Sequence, residues 1–155
     1  MVKKYVVGFA FDENKRRVLL IKKNRPEWQK GKLNGIGGSM EEGETPLETM
    51  IREFREETAV ELTNWEHYCT RIFKDAETVD SIVHYFRIFD VDLSKCKQNT
   101  DEILVSYLVR DTLCLTNPEF VIYNTPWLVS MALTDPHYSI VEVQSKDYID
   151  ERFDK

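Results

Sequence analysis

Short apolar runs bounded by polar and turn-forming residues predict β-strands in both halves of the chain. In the first half, two such runs are separated by the turn-forming residues Asp12, Glu13 and Asn14. In the second half, the runs are rich in Ile, Val, Tyr and Phe, which favour strands. The predicted strands are residues 6–11, 17–22, 65–73, 81–91 and 103–109.

Over residues 45–60 the apolar residues recur with a helical period. Apolar or small side chains recur there at steps of four, three and four residues, at Leu47, Ile51, Phe54 and Thr58. Thr45 is a candidate N-cap and Pro46 suits the first helical position. Glu48 completes a capping box with Thr45. These signals predict a helix with a well-defined start.

The other segments complete the expected order of elements. Residues 24–43 are glycine-rich and charged, and we expect a loop there. Residues 120–133 predict a second helix with Pro126 near its start, whereas residues 137–155 are weakly patterned and carry no prediction. The order β-β-loop-α-β-β-β-α predicts a mixed sheet with at least two helices, in an α/β or α+β sandwich.

The composition is that of an ordinary globular protein. A length of 155 residues, of which 42% are hydrophobic and 31% charged, suits one hydrophobic core. We therefore expect a single domain over residues 1–155. The 21 Lys and Arg residues against 27 Asp and Glu residues give a net charge of −6. This balance disfavours a broad basic surface, so we expect no duplex nucleic acid partner.

The number and spacing of the cysteines, together with the hydropathy of the chain, indicate the cellular compartment. Three irregularly spaced cysteines suggest neither a disulfide framework nor a zinc site, which favours a reducing environment. The N-terminal apolar run is too short for a signal peptide, and no stretch approaches the ~18 residues of a membrane span. We expect a cytoplasmic protein, monomeric or homodimeric, with no membrane partner.

Three glutamates on the first predicted helix carry the candidate chemistry. Glu53, Glu56 and Glu57 lie at i, i+3 and i+4, and such like-charged spacings destabilise an isolated helix by about 0.2–0.5 kcal/mol per pair. A hard divalent cation with oxygen ligands would offset this repulsion, and a Gly-rich segment, residues 35–38, precedes the helix. The alternative is a solvated helix face crossed by salt bridges, which physics alone does not exclude.

The segment 38–60 resembles the Nudix box, G-x5-E-x7-R-E-U-x-E-E-x-G-U, where U is a bulky apolar residue. The matching residues are Gly38, Glu44, Arg52, Glu53, Phe54, Glu56, Glu57 and Val60. The one departure is Ala59, which stands where the family has glycine. Glycine at a helix end allows a left-handed turn that costs a residue with a Cβ roughly 1 kcal/mol, so the geometry of the helix exit is in question.

This resemblance implies a Nudix α/β/α sandwich, with a mixed β-sheet between helices, and hydrolysis of a nucleoside diphosphate linked to another group. The implied cofactor is Mg²⁺ or Mn²⁺. Glu56 and Glu57 would be its principal ligands, and Glu53 a further ligand or the general base. A carbonyl in a turn at Gly37 and Gly38 would complete the coordination. In the same resemblance, Arg52 would hold Glu44 and orient the glutamates.

Five residues outside the box are further candidates. Glu102 corresponds to an acidic loop residue that in many Nudix enzymes reaches the metal or acts as a base; the alternative is an exposed carboxylate. Asn34 and Asn124 resemble base-contacting asparagines of oxidised-purine and MutT-like hydrolases. They are otherwise a turn residue and a helix N-cap. Lys23 and Arg25 would bind substrate phosphates, or are simply solvated.

The resemblance therefore implies a magnesium-dependent pyrophosphohydrolase with a small-molecule nucleotide substrate. The first expectation is a (d)NTP or an oxidised purine nucleotide, releasing NMP and pyrophosphate. The alternatives are hydrolysis of ADP-ribose, a nucleotide sugar or a dinucleoside polyphosphate, and a Nudix-fold nucleotide sensor without catalysis. The intact glutamates argue against the sensor, because a sensor need not keep every carboxylate.

Overall fold

A mixed β-sheet forms the middle of the molecule, as a computed structural model describes it for residues 1–75, 78–134 and 140–145. Its path is β3-β2-β1-β6-β5-β8, with β4 pairing to β1 and β7 pairing to β2. The strands are β1 (Lys3–Phe11), β2 (Arg17–Lys22), β3 (Leu33–Asn34), β4 (Ile36–Ser39), β5 (Glu66–Asp75), β6 (Thr78–Ile88), β7 (Ile103–Leu108) and β8 (Ile140–Ser145). The pairs β1–β6 and β5–β8 are parallel and the other pairs are antiparallel.

Helices cover both faces of this sheet. They are α1 (Pro46–Thr58), α2 (Val109–Leu113) and α3 (Thr125–Ala132). Successive residues of a strand point to opposite faces, so Val6 and Ala10 of β1 lie in the core cluster that contains Phe54 of α1. Phe9 and Phe11 lie in the second cluster, with Leu128, Val129 and Ala132 of α3. The expected α/β/α sandwich is confirmed.

Most predicted strands are confirmed with small shifts at their ends, but the predicted loop 24–43 is wrong in part. It contains a 3-10 turn at Glu27–Gln29 and the short strands β3 and β4. β4 is rich in glycine and lacks the run of β-branched and aromatic residues that marks the longer strands. Its backbone pairs with β1 from Tyr5 to Gly8, so tertiary pairing supplies what local sequence preference does not.

The predicted helix 120–133 starts too early, because α3 begins only at Thr125. The preceding residues run along β3 instead: the N–H of Leu33 donates to the carbonyl of Phe120, and the N–H of Ile122 donates to the carbonyl of Leu33. Val121 forms a parallel bridge with Leu33. Of the unassigned tail 137–155, residues 140–145 form β8, and the other residues lie outside the described ones.

The start and end of α1 follow the predicted chemistry. Thr45 and Glu48 form the reciprocal capping box, and Pro46 opens the helix. Ala59 takes the left-handed conformation at the C-cap, with φ 59° and ψ 18°, so the helix exit keeps the geometry that favours glycine. Leu47 is exposed, contrary to the predicted apolar stripe, because the buried side of α1 is formed by Thr49, Met50, Phe54 and Thr58. No helix within the described residues is long and apolar enough to cross a membrane.

Candidate functional site

Arg52, in the middle of α1, organises the acidic side chains around it. Its Nε and Nη2 donate to the two carboxylate oxygens of Glu44, at 2.7 and 2.9 Å. Its Nη1 donates to Glu53 at 2.8 Å and to Glu56 at 3.3 Å. The remaining contact is to the main chain, where Nη2 donates to the carbonyl of Ser39 at 3.0 Å. A planar guanidinium can hold several acceptors at fixed angles, which a lysine ammonium does not do.

Glu44 anchors this arrangement in the segment before the helix. The carboxylate also accepts hydrogen bonds from the backbone N–H of Glu41 and from the hydroxyl of Thr49. Hydrogen bonding from Arg52 lowers the pKa of Glu44 to about 2, against the opposing effect of burial. The pKa of Arg52 is raised in turn, chiefly by its hydrogen bonds to Glu44. Both groups therefore stay ionised at neutral pH.

Gly37 and Gly38 lie in strand β4 and not in the expected turn. Neither has a positive φ, so close approach and not unusual backbone conformation explains the two glycines. A Cβ on Gly37 would lie 1.9 Å from the carbonyl oxygen of Val6 in β1. A Cβ on Gly38 would lie 2.5 Å from both carboxylate oxygens of Glu53. Gly38 thus lets the backbone of β4 lie directly against an acid of α1, and Gly37 lets it lie against β1.

Two of the three helix glutamates, Glu53 and Glu57, are partly buried. The positive charges near them do not cancel the effect of burial on their pKa values. Burial raises the pKa of Glu53, and the charges of Glu56 and Glu57 add to it; the hydrogen bond from Arg52 opposes the shift without cancelling it. Burial likewise raises the pKa of Glu57, with further contributions from Glu102 and Asp101. A cation placed near these carboxylates would reverse both effects.

Glu102 is buried, with 4% of its surface exposed, so the alternative of an exposed loop carboxylate is wrong. One of its carboxylate oxygens accepts from Lys23 Nζ at 2.8 Å and the other accepts from the backbone N–H of Asn24 at 2.7 Å. Lys23 is therefore an ion-paired residue and not a freely solvated one. Arg25 is exposed and makes no hydrogen bond or ion pair with the described parts of the chain, so the structure does not bring it to the acidic cluster.

The two candidate asparagines come close to each other through Thr125. The Oδ1 atom of Asn34, in β3, accepts from the N–H of Gly35 at 2.8 Å and from the hydroxyl of Thr125 at 3.4 Å. Asn124 occupies the N-cap position of α3, as predicted, but its side chain makes no capping hydrogen bond. Their side-chain NH₂ groups donate no hydrogen bond within the described residues, which leaves amide donors at this edge of the sheet.

Sequence reasoning missed Thr100 and Asn99, which contact the end of α1. Thr100 donates to the carboxylate of Glu57 at 2.6 Å, and the side chain of Asn99 donates to the carbonyl of Glu56 at 2.8 Å. Both contacts join residues that are 43 positions apart. No local pattern marks them, so only the fold could reveal them.

Comparison with known proteins identifies the domain. A family model described as NUDIX domain matches residues 2–112, which is more than half of the chain. This chain belongs to the NUDIX family. No curated protein matches its sequence significantly.

Solved structures of NUDIX proteins superpose on this chain. The NUDIX domain of Shewanella oneidensis NrtR, complexed with ADP ribose, is 20% identical with a TM-score of 0.69, and the match covers 85% of this chain and 86% of that one. The MutT protein from Bacillus halodurans is 20% identical with a TM-score of 0.62, covering 95% and 93%. Shewanella oneidensis NrtR complexed with a 27mer DNA is 21% identical with a TM-score of 0.63, covering 84% of this chain and 59% of that longer one. At these identities the likeness shows a shared fold.

NUDIX hydrolases generally use divalent metal ions, and the donor set here fits such an ion. Within the described segments 1–75, 78–134 and 140–145, no group of three or more His, Cys, Asp or Glu side chains is placed so that it could hold a metal ion by itself. Mg²⁺ does not require one, because it keeps several waters and binds through one or two carboxylates plus substrate phosphates. The half-buried carboxylates of Glu53 and Glu57 supply hard oxygen donors, the type that such an ion prefers, and burial raises the pKa of each.

Proposed function

We propose that this protein is a divalent-cation-dependent pyrophosphohydrolase that cleaves a phosphoanhydride in a nucleoside diphosphate-linked substrate. The observation that carries the proposal is the fixed row of acids on α1. Arg52 holds Glu53 and Glu56 in place, while Glu57 lies one residue further along and Glu53 packs on Gly38. A solvated helix face, the alternative interpretation, would not partly bury Glu53 and Glu57 or raise the pKa of each.

In this proposal the acidic residues have two roles, metal ligand and general base. Glu56 and Glu57, with a carbonyl of Gly37 or Gly38, would hold Mg²⁺ or Mn²⁺. When bound, the ion would neutralise phosphate charge and make a water more acidic. Held by Arg52 and packed on Gly38, Glu53 would serve as a third ligand or, instead, as the general base. Glu102 suits the role of general base less, because both of its oxygens already accept hydrogen bonds from Lys23 and Asn24.

Charge at the edge of the site supports a phosphate subsite at Lys23. The buried Glu102 carboxylate fixes the Lys23 ammonium at 2.8 Å. Glu57 is close enough for both charges to affect its pKa. A polyphosphate bound at the α1 acids would therefore meet this ammonium. Arg25, exposed and unpaired among the described residues, remains a weaker candidate for the same role.

For the substrate, we propose a (d)NTP or an oxidised purine nucleotide, cleaved to NMP and pyrophosphate. Asn124 supports this choice, since an asparagine amide offers a donor and an acceptor to the edge of a purine. Asn34 would contribute only its NH₂ group, because its Oδ1 already accepts from Gly35 and Thr125. The NH₂ groups of both amides make no hydrogen bond within the described residues. The expected cost of Asn124→Ala is about tenfold in kcat/KM for purine nucleotides, equivalent to one hydrogen bond. Asn64→Ala, an exposed site, is the matched control.

Two alternatives have specific support. The NrtR domain was solved with ADP ribose, so ADP-ribose, nucleotide sugars and dinucleoside polyphosphates form the second substrate class. NrtR was also solved with DNA, so a nucleotide sensor without catalysis is the third candidate function. The absence of a duplex nucleic acid partner stays a prediction.

One experiment separates these alternatives. The purified protein is incubated with a nucleotide panel and Mg²⁺ or Mn²⁺, and the products are identified. Pyrophosphate from dGTP or 8-oxo-dGTP supports the first class, whereas AMP from ADP-ribose supports the second. No turnover despite ligand-induced stabilisation supports the sensor. Glu56→Gln should abolish most turnover, while Glu61→Gln, an exposed glutamate beyond the helix, should retain it.

A further inference from the structure

The segment 97–102, which we call the clasp loop, binds the C-terminal turn of α1. The last carbonyls of a helix have no partners within it. Here the N–H of Lys97 donates to the carbonyl of Thr58 at 2.9 Å, and the N–H of Asn99 donates to that of Glu57 at 3.1 Å. The Asn99 side chain donates to the carbonyl of Glu56 at 2.8 Å. The clasp loop thus supplies the hydrogen bonds that the end of the acidic helix lacks.

Thr100 lies between this main-chain attachment and the acidic side chains. Its hydroxyl donates to Oε2 of Glu57 at 2.6 Å and accepts from the backbone N–H of Glu102 at 3.2 Å. The first bond is short and charge-assisted, a class about twice as strong as a neutral hydrogen bond. The N–H of Glu102 can only donate, so the hydroxyl oxygen of Thr100 accepts that bond. Its single proton is then directed towards the carboxylate of Glu57.

The far end of the clasp loop is anchored to the end of β2. The side chain of Asn24 donates to the carbonyl of Asp101 at 3.0 Å, and the backbone N–H of Asn24 donates to Glu102 at 2.7 Å. Lys23 forms its ion pair with the same carboxylate. Thr100 is therefore held from both sides, and it can hold the long, flexible side chain of Glu57 in turn.

We infer that Thr100 is a positioning residue that fixes the carboxylate of Glu57 for a divalent cation. This inference rests on the proposed function, because it assigns Glu57 a ligand role. Groups that orient a metal ligand without touching the metal typically contribute 10–100-fold in metal affinity or activity. Asn99 has a different role: its bonds go to main-chain carbonyls, so it holds the loop and not the carboxylate.

The test compares substitutions at Thr100 with a matched control. Thr100→Val removes the hydroxyl at nearly constant volume, and Thr100→Ser restores it. Thr63→Val makes the same change at an exposed threonine outside the site. Asn99→Ala weakens the attachment of the clasp loop. Mn²⁺ affinity is measured by calorimetry without nucleotide, followed by kcat, KM and thermal stability.

Thr100→Val should weaken Mn²⁺ binding and lower kcat by about 10–100-fold, with KM changed little. Thr100→Ser should return both to near the wild-type values, and Asn99→Ala should lower thermal stability more than Mn²⁺ affinity. The inference is overturned if Thr100→Val matches Thr63→Val, if serine fails to rescue, or if Asn99→Ala weakens Mn²⁺ binding equally.

The failure of the proposed function gives a different result. A wild-type protein that binds Mn²⁺ but cleaves no phosphoanhydride contradicts the proposed hydrolysis alone, and the Mn²⁺ affinities of the variants still decide the role of Thr100. A wild-type protein that binds no Mn²⁺ overturns the inference together with the metal dependence.

Discussion

Gly38 of β4 lies directly against the carboxylate of Glu53 in α1, so that a Cβ at this glycine would come within 2.5 Å of both carboxylate oxygens. The neighbouring glycine meets a main-chain atom instead, since a Cβ at Gly37 would lie 1.9 Å from the carbonyl oxygen of Val6. The two adjacent glycines therefore serve different purposes. One makes room for a strand partner and the other for a candidate catalytic acid.

Substitution of these glycines should separate activity from stability. Gly38→Ala should displace the flexible Glu53 side chain and lower kcat by about 10²-fold, because small misplacements at a reacting centre are costly. Its free energy of unfolding should change little. Gly37→Ala should destabilise the fold by about 3 kcal/mol, because the backbone of β1 cannot move aside as a side chain can. Urea unfolding and steady-state kinetics measure both; equal loss of stability in the two variants would contradict this assignment.

Neutralising Glu57 should stabilise the metal-free protein while it abolishes activity. The pKa of Glu57 is raised in the folded state, so its ionised form opposes folding, and stability falls as pH rises from the unfolded value of 4.5 through the folded value. Glu57→Gln should therefore unfold at a higher temperature than wild type at pH 7 in EDTA, and no higher at pH 4. Its kcat should drop by at least about 10²-fold.

Addition of Mn²⁺ at pH 7 should make the wild-type protein more stable than Glu57→Gln, the reverse of their order in EDTA. Wild type should gain stability because the ion binds only the folded state, and Glu57→Gln should gain less. Melting curves with and without Mn²⁺ provide the measurement. If Mn²⁺ raised both melting temperatures equally, Glu57 would not be a ligand.

Substitutions of the two partners in the Lys23–Glu102 ion pair should lower the free energy of unfolding by different amounts. Lys23→Met should cost about 3 kcal/mol, because it leaves a buried carboxylate without its cation. Glu102→Gln should cost less, because the side chain of Lys23 is more exposed, at 15% against 5%, and can reach water. The double substitution should recover part of the loss. A double-mutant cycle in urea measures the coupling, and additive losses would show that the pair does not interact.

The left-handed conformation of Ala59 predicts a stabilising substitution. Ala59→Gly should raise the free energy of unfolding by about 1 kcal/mol, because glycine adopts φ 59° without a Cβ clash. For a chain of this size that corresponds to about 2–4 °C in melting temperature. Ala132→Gly, in right-handed helix α3, should have the opposite sign. A lower melting temperature for Ala59→Gly would contradict the strain argument.

The spacing of the Nudix-box residues alone predicts part of the candidate site. The steps between Glu53, Glu56 and Glu57 predict their common side of α1, and the Thr45–Glu48 capping box predicts where the helix begins. Both are local properties of a helix, in which residues three and four apart are neighbours. The glycines of β4 were misassigned to a turn, because their role depends on pairing with β1.

By itself, the sequence determined the elements whose preferences are local: the long strands, helix α1 with its cap, and the motif that marks the family. The tertiary structure alone decided which distant residues meet those elements. Thr100 reaches Glu57, Lys23 pairs with Glu102, and residues 120–122 run along β3 before α3 begins. These contacts join segments far apart in the chain, so no periodicity encodes them. They form only when burial of the two core clusters brings the strands and helices together.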